Sequence, residues 1–239
     1  MNTNPIIGNS CIEDHYTDFW MKRLGIHFYP SEFLVRTMLS NNCPNLKIDQ
    51  KYAGKNVLDL GCGDGRNMGL LSNLEMNVYG TEITEIICKS VMRRLAGFGI
   101  KADIRVGRNN RLPFSDSLFD YIVASASVYY VDAETSFNNN IKEVMRVLRH
   151  GGFIIFSMVH PDSYILKDAK IMSDHHYEIT NDPLGLRNGY AFKVFPDRGH
   201  ILEYFSKYFT DISIGYTSDD YYGLKQDLWL IVAKYNKGL

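Results

Sequence analysis

The sequence predicts an α/β fold: a mostly parallel seven-stranded sheet with helices on both faces and a C-terminal antiparallel strand pair. Three observations predict it. Short apolar runs alternate with helix-like periods, the first run ends in a glycine-rich turn, and the last two runs lie close enough together to pair. Alternation of strands and helices is typical of a parallel sheet. Ligands of such sheets bind beyond the carboxyl ends of the strands.

Two helices are expected between about 13 and 40, because apolar residues recur there at helical intervals, with a break at Phe28-Tyr29-Pro30 after Leu24. Ser31 is expected to cap the second helix. The elements that follow are expected, in chain order, at strand 56–60, helix 65–74, strand 76–81, helix 84–98, strand 102–106, strand 119–125, helix 133–149, strand 152–158, helix 201–208, strand 211–216 and strand 228–235.

Composition narrows the function classes. The 239 residues are 45% hydrophobic with a formal net charge of -1, which argues against a broad basic surface and against a nucleic-acid partner. No apolar run approaches the roughly 20 residues that span a bilayer, so no membrane partner is expected. The four cysteines lack CxxC spacing, which favours neither a zinc site nor a disulfide framework, and a cytoplasmic location is the simplest setting. The 13% of aromatic residues suffice for a pocket, a core or a homodimer interface, and composition does not choose between them.

The glycine-rich turn is the most informative motif. Asp59 precedes Gly61, Gly63 and Gly65 where the first strand ends. Glycines there let the backbone take positive φ or approach a ligand closely, and the start of the following helix offers unpaired N–H groups. A purely structural turn is the plain alternative. A dinucleotide site of an NAD-dependent oxidoreductase is disfavoured, because that fingerprint needs glycine at its sixth position and Arg66 stands there.

The pattern of Asp59, Gly61, Gly63 and Gly65 resembles the first motif of the class I S-adenosylmethionine-dependent methyltransferases. Further segments resemble later motifs of that family in the same order, at 107–114, 119–125 and 143–153, so that the resemblance spans about 55–157. It implies a Rossmann-like fold and S-adenosylmethionine as cofactor.

The resemblance also implies where this cofactor lies: its methionine end at 59–65 and its ribose on Glu82, twenty-one positions after Gly61. A solvated Glu82 that caps the next helix is the structural alternative. Arg108 stands where many relatives carry an Asp that serves adenine, so either Asn109 or a backbone carbonyl serves adenine or Arg108 stacks on the ring. The expected cofactor-binding residues are Asp59, Gly61, Cys62, Gly63, Arg66, Asn67, Glu82, Ile83, Arg108, Asn109 and Ser125.

Two residues are candidate catalytic groups. His160 follows the fifth strand and is placed to accept a proton near neutral pH, and Tyr129 follows the fourth strand, where its phenol is expected at the reacting centre. Surface exposure for the histidine and rim packing for the tyrosine are the bland alternatives. The expected acceptor-binding residues are Tyr29, Tyr130, His175 and His176. A metal on the histidines lacks a carboxylate that spacing can place, so none is predicted.

The segment Pro161–Arg198 has no clean period, and a loop of this length is usually functional or disordered, so we expect a substrate lid. One domain is expected over 1–239: a helical cap at 1–50, the cofactor-binding core at 51–160, the lid insertion at 161–200, and a helix with a strand pair at 201–239.

The resemblance implies methyl transfer to a small-molecule substrate, by O- or N-methylation of a sugar, sugar nucleotide or other secondary metabolite. A non-catalytic S-adenosylmethionine-binding regulatory module is the alternative.

Overall fold

The structure, a computed structural model, describes residues 9–23 and 29–238, with side chains for residues 13–22 and 29–238. The parts of the predicted cap that include Leu24 and Phe28 lie outside these residues. The described helices are α1 (Asn9–Arg23), α2 (Glu32–Leu39), α3 (Met68–Asn73), α4 (Glu85–Gly97), α5 (Phe137–Val147) and α6 (Arg198–Phe205). The described strands are β1 (Asn56–Leu60), β2 (Asn77–Glu82), β3 (Ala102–Val106), β4 (Phe119–Ala124), β5 (Tyr130–Val131), β6 (Leu148–Val159), β7 (Lys170–Ile171), β8 (His176–Glu178), β9 (Ala191–Lys193), β10 (Phe209–Tyr221) and β11 (Leu224–Tyr235).

Seven strands form the main sheet, in the order β10-β11-β6-β4-β1-β2-β3. Strands β3, β2, β1, β4 and β6 pair in parallel, whereas β11 runs antiparallel to both β6 and β10. The predicted fold class is therefore confirmed. The chain adds β2 and β3 on one side of β1 and β4 on the other, so the order reverses between β1 and β4. A crevice for ligands forms beyond the carboxyl ends of strands at such a reversal.

Alternate residues of the central strands face two separate cores. Leu58, Ile122 and Ile154 are partners across β1, β4 and β6, and all three are fully buried in a core to which α5 and α6 contribute. The residue before each of them belongs to the opposite core, which contains buried side chains of α2, α3 and α4. This period of two matches a sheet buried on both faces. Helices therefore cover both faces, as predicted.

A second, smaller sheet occupies the segment that was expected to lack regular structure. Strands β7, β8 and β9 pair antiparallel with one another and with β5, in the order β5-β9-β8-β7. Each strand has only two or three residues. Such strands are too short to produce a visible alternation, which is why the sequence shows no period there.

The hairpin of β10 and β11 is longer than predicted. Tyr222 and Gly223 connect the strands with φ values of 55° and 100°, a conformation typical of two-residue hairpin loops. The pairing of β11 with β6 ends where Leu228 lies opposite Val159. The ribbon at 217–227 therefore extends past the carboxyl end of β6, on the side where ligands bind.

Among the described helices, none combines the length and the apolar character that crossing a bilayer requires.

Two glycine substitutions test the packing of the sheet. A Cβ on Gly152, in β6, would lie 2.8 Å from the backbone oxygen of Asp120 and 3.0 Å from that of Arg149. Because backbone atoms cannot rotate away, we expect Gly152→Ala to lower the free energy of unfolding by roughly 1–3 kcal/mol. Gly97→Ala, at the end of α4, is the matched control.

A Cβ on Gly97 would meet nothing within 4 Å. Alanine restricts the unfolded chain more than glycine does, so Gly97→Ala should leave stability unchanged or raise it by up to about 1 kcal/mol. Urea unfolding followed by circular dichroism measures both variants. Equal stabilities of the two variants would contradict the packing described for β6.

Candidate functional site

The glycine turn follows β1 directly and is shaped by its neighbours. Gly61 and Gly63 have φ values of 64° and 58°. A Cβ on Gly61 would lie 2.9 Å from the Cβ of Ser127, and one on Gly63 would lie 2.7 Å from the ring of Trp20. Both positions therefore require glycine for conformation and for space. Helix α3 begins only at Met68 and has six residues, so it is shorter than predicted.

Glu82, the last residue of β2, binds the glycine turn through hydrogen bonds. Its Oε1 accepts from the N–H of Gly63 at 2.6 Å, and its Oε2 accepts from the N–H of Ile83 at 3.0 Å. The side chain lines the cavity described below. Burial raises the pKa of Glu82, and the two backbone N–H groups oppose that rise. Thr84, and not Glu82, caps α4.

Asp59 lies beneath the turn and is almost completely buried, at 1% exposure. Its Oδ2 has no hydrogen-bond partner among the described residues. Burial raises the pKa of Asp59 to about 7; a hydrogen bond from Asn67 opposes the rise, and the charges of Glu82 and Asp64 add to it. Asn67 itself accepts from the N–H of Ser31 at 3.0 Å. An unpartnered carboxylate oxygen thus lies behind an ordered amide.

Residues from separate loops close the site. Ser31 precedes α2 but makes no side-chain cap there; its Oγ lies 3.0 Å from the Oγ of Ser125. Asn109 donates to the backbone oxygens of Ser127 and Tyr130, at 2.8 Å and 3.2 Å. These contacts hold the loops after β3 and β4 against each other.

Arg108 connects three segments. It forms ion pairs with Asp132, at 2.9 Å, and with Glu13 of α1. Burial opposes its charge, but these two carboxylates raise the pKa of Arg108 above its usual value. Helix α1 is also held by Thr17, whose Oγ1 lies 3.2 Å from that of Thr84. The guanidinium is therefore committed to pairing within the chain.

One cavity of about 1070 Å³ lies at this edge of the sheet. Its lining includes twelve of the predicted site residues: Gly61, Cys62, Gly63, Arg66, Asn67, Glu82, Ile83, Arg108, Asn109, Ser125, Tyr29 and Tyr130. Five others do not line it: Asp59, Tyr129, His160, His175 and His176. The cofactor-side residues are brought together far more completely than the catalytic ones.

Tyr129 points into the core and not into the cavity. It is 3% exposed, stacks on Tyr130 with ring centroids 5.0 Å apart, and meets Phe192 edge-on at 4.9 Å. Burial raises its pKa well above 10. This placement gives no support to a catalytic role for Tyr129. Its neighbour Tyr130 lines the cavity instead.

His160 lies behind the cavity wall. Its ring packs against Trp229 at 4.4 Å and Tyr216 at 4.9 Å, and its Nδ1 accepts from the N–H of Asp162 at 3.2 Å. Tyr216 lines the cavity, whereas His160 does not. His160 lies directly after β6, as predicted, but the ribbon of β10 and β11 covers its ring. The structure therefore does not support proton transfer by His160.

His175 and His176 belong to the small sheet and its turn. The ring of His175 meets that of His200 at 5.6 Å, and the Nδ1 of His176 lies 3.2 Å from the backbone oxygen of Ser173. Neither residue lines the cavity, so acceptor binding by them has no structural support. The described part of the chain contains no group of three or more His, Cys, Asp or Glu residues arranged to hold a metal ion.

Several residues that line the cavity were not predicted from the sequence. On α1, residues at positions 16 and 20 share one helical face and reach the cavity, but a helical period by itself does not distinguish a cavity wall from packing. Those in the segment 161–190 lie in short elements without a pattern, so no sequence signal marked them. The residues missed include Tyr16, Trp20, Tyr164, Arg187, Tyr190 and Tyr216.

Comparison with known proteins supports the family resemblance seen in the sequence motifs. The methyltransferase domain family matches residues 58–156. A sterol 4-C-methyltransferase of Caenorhabditis elegans is 28% identical over 161 residues, which cover 64% of this chain and 47% of that protein. A phthiotriol/phenolphthiotriol dimycocerosates methyltransferase of Mycobacterium ulcerans is 30% identical over 118 residues, covering 48% and 41%. The chain thus spans about half the length of these curated relatives.

Solved structures show the same fold at low identity. An S-adenosylmethionine-dependent methyltransferase from Methanosarcina mazei aligns with a TM-score of 0.59 and 19% identity, covering 77% of this chain and 93% of that one. The 1,6-didemethyltoxoflavin-N1-methyltransferase of Burkholderia thailandensis, solved with its acceptor and S-adenosylhomocysteine, aligns with a TM-score of 0.57 and 12% identity, covering 77% and 72%. With the glycine turn and Glu82 on one crevice of this sheet, the chain carries at 58–156 a methyltransferase domain of the class I family, whose cofactor is S-adenosylmethionine.

Proposed function

We propose that this chain transfers a methyl group from S-adenosylmethionine to a small-molecule acceptor. One observation carries the proposal: a single cavity joins the glycine turn and Glu82 to a wall of tyrosines from other elements. Its volume of about 1070 Å³ lies just above the range, roughly 300–1,000 Å³, that is usual for one small ligand. Such a cavity suits a donor and an acceptor bound side by side.

The residues at the glycine turn fit the cofactor. Gly61 and Gly63 leave a cradle that side chains would fill, and each oxygen of Glu82 keeps acceptor capacity after taking one backbone N–H. A vicinal diol would donate to that carboxylate. Asp59, with an unpartnered oxygen behind Asn67, would stabilise an ammonium group. Within the described residues, no donor lies on Oδ1 of Asn109, which is therefore free to accept from an amino group on adenine.

When bound, the cofactor supplies an electrophilic methyl group on a sulfonium sulfur. The chain's own contribution is to orient the acceptor in line with that group and to exclude water. Trp20 and Tyr16 of α1 line the cavity on one side, and Tyr130, in β5 of the small sheet, meets Tyr16 edge-on. Burial raises the pKa of Tyr130, so its phenol keeps its proton near neutral pH and acts as a hydrogen-bond donor. The acceptor's own proton leaves to solvent in this scheme.

We also propose the domain division read from the sequence: cap 1–50, core 51–160, insertion 161–200 and C-terminal segment 201–239. Support comes from the cavity lining, because all four parts contribute to it. Examples, one from each part, are Trp20, Glu82, Arg187 and Tyr216. The size and the mixed polar and aromatic lining of the cavity support a small-molecule partner. Three points stay predictions from the sequence: that nucleic acid is not a partner, that the chain forms a homodimer, and that it is located in the cytoplasm.

A second function is binding of S-adenosylmethionine without turnover, as a regulatory module. One observation favours it: among the described residues no histidine or lysine lines the cavity, so two common types of general base are missing from the lining. Acceptors that lose a proton easily, or amines, need no such base. Release of S-adenosylhomocysteine during incubation with a cell extract separates the two functions, because a binding module would release none.

Calorimetric titration tests the cofactor site itself. We expect the purified protein to bind S-adenosylhomocysteine with micromolar affinity and NAD not at all, since Arg66 occupies the position where a dinucleotide turn needs glycine. A folded sample that binds neither ligand would remove the proposed function, and binding of NAD alone would favour an oxidoreductase.

Glu82→Gln tests the ribose contact. The amide keeps the shape of the side chain but loses the charge and one acceptor oxygen. A hydrogen bond to a charged group contributes roughly 1.5–3 kcal/mol, so affinity for S-adenosylhomocysteine should fall about 10- to 100-fold. Glu85→Gln is the matched control: Glu85 pairs with Lys89 on α4 and is exposed. Equal affinities for the two variants would show that Glu82 only braces the turn.

The pKa of Asp59 predicts a pH dependence. An ammonium ligand binds best to the ionised carboxylate, so affinity for S-adenosylhomocysteine should rise as the pH increases through about 7, by up to tenfold per unit below it. The raised folded-state pKa of Asp59 also makes stability depend on pH. The contribution of Asp59 to the stability of the ligand-free fold is complete below about pH 4, and it is lost as the pH rises through about 7. Asp59→Asn should flatten both dependences, measured by calorimetry and urea unfolding. An unchanged pH slope in the variant would assign the effect to another group, such as Glu82.

A further inference from the structure

Arg187 has a geometry that the proposed methyl transfer leaves unexplained. It lies in the turn at 182–187, lines the cavity, and its side chain is only 13% exposed. Asp182, whose side chain is fully buried, holds it in a fork: Nε donates to Oδ2 at 2.8 Å and Nη2 donates to Oδ1 at 2.6 Å. Burial opposes the charge, but this bonding keeps the pKa of Arg187 well above its usual range. The guanidinium is therefore permanently charged and fixed in orientation.

The carboxylate of Asp182 is fully used in this arrangement. Besides the guanidinium, it accepts from the backbone N–H groups of Leu184, Leu186 and Arg187, at 3.1, 3.0 and 2.9 Å. The turn is thus organised around one buried acid. Its effect is to present Arg187 rigidly to the cavity, as a preorganised binding group requires.

One nitrogen of Arg187 remains available. Nη2 also donates to the hydroxyl of Tyr164 at 3.0 Å, but no acceptor among the described residues lies on Nη1. The two N–H donors on Nη1 suit an oxygen of a bound molecule.

The surrounding charges define what kind of oxygen fits. Besides Arg187, three other arginines line the cavity, and each lies within 4 Å of a carboxylate: Arg36 with Glu32, Arg66 with Asp64, and Arg108 with Glu13 and Asp132. No lysine of the described chain lines it. Arg36 and Arg66 are at least half exposed, but Arg108 and Arg187 are mostly buried and both are paired. A phosphate or diphosphate beside them would lack an unpaired cation, and burying it there is costly. The acceptor side therefore favours an uncharged molecule and disfavours a sugar nucleotide.

The walls next to Arg187 are aromatic. Tyr130 and Tyr190 meet edge-on with centroids 5.2 Å apart, Tyr16 packs edge-on against both, and Tyr164 lies beneath the guanidinium at 6.0 Å. Such a cluster forms an apolar wall in which each ring carries a polar hydroxyl at one end only, and this suits an aromatic guest.

We propose that Arg187, positioned by Asp182, binds a carbonyl or hydroxyl oxygen of an uncharged aromatic acceptor that packs among Tyr16, Tyr130, Tyr164 and Tyr190. This inference rests on the proposed function, and it names the substrate class of the same cavity.

Calorimetric titration of the full chain, saturated with S-adenosylhomocysteine, tests it with three probes. They are 2-naphthol, 2-naphthyl phosphate and a uridine diphosphate sugar. We expect 2-naphthol to bind at least tenfold more tightly than its phosphate ester, and the sugar nucleotide not to bind at millimolar concentration. Tighter binding of either phosphorylated probe, or no binding of 2-naphthol, would overturn the assignment. Loss of S-adenosylhomocysteine binding is a separate result, and it would remove the proposed function instead.

Arg187→Lys tests the residue itself. Lysine keeps a cation for Asp182, which avoids leaving a buried carboxylate unpaired, but it cannot present a second nitrogen to the cavity. Affinity for 2-naphthol should fall at least tenfold, while affinity for S-adenosylhomocysteine stays unchanged. Arg105→Lys is the control, since Arg105 also pairs with an aspartate but lies outside the cavity lining. If Arg187→Lys proves unstable, the double variant Asp182→Asn/Arg187→Gln removes both charges together and should lose 2-naphthol binding in the same way. Full 2-naphthol affinity in either folded variant would refute the role of Arg187.

Discussion

The hydrogen bond from the backbone N–H of Gly63 to the carboxylate of Glu82 is the contact on which the site depends. It joins the turn after β1 to the end of β2, and it can form only because β1 and β2 pair in parallel, with Leu60 opposite Thr81. At 2.6 Å and in a buried position, it is of the short, charge-assisted kind. Once this bond fixes the turn, the positions of Cys62, Asn67 and the cavity floor follow.

Most of the fold and the cofactor side could be predicted from the sequence, because both depend on local patterns. A buried parallel strand leaves an apolar run, a turn with positive φ leaves glycines, and a carboxylate twenty-one positions onward marks the end of β2. The first two signals lie within a few residues of the atoms that they predict, and the third lies one helix and one strand further along the chain. The boundaries were less exact: β6 begins at Leu148, directly after α5, where a longer helix was predicted.

The acceptor side could not be predicted, because it depends on contacts between distant segments. Neighbouring tyrosines illustrate this: Tyr130 lines the cavity and Tyr129 enters the core, yet nothing local distinguishes them. His160 sits after β6 as expected, but the ribbon that covers it comes from about sixty residues later. Arg187 and Asp182 meet in a turn whose flanking strands are too short to leave a period. Sequence spacing therefore predicts the residues that directly follow a strand end, and it does not predict those whose positions depend on tertiary packing.

Apart from Tyr130 of β5, the walls around the proposed acceptor come from three separate stretches: helix α1, the insertion at 161–200, and the ribbon of β10 and β11. All three lie outside residues 58–156, the part that carries the glycine turn and Glu82. Substitutions or insertions in any one stretch can therefore reshape that part of the cavity without disturbing the strands that carry the glycine turn and Glu82. Under the proposed function, such a division lets a lineage change the acceptor by altering its periphery, one wall at a time, while the residues proposed to hold the methyl donor are kept.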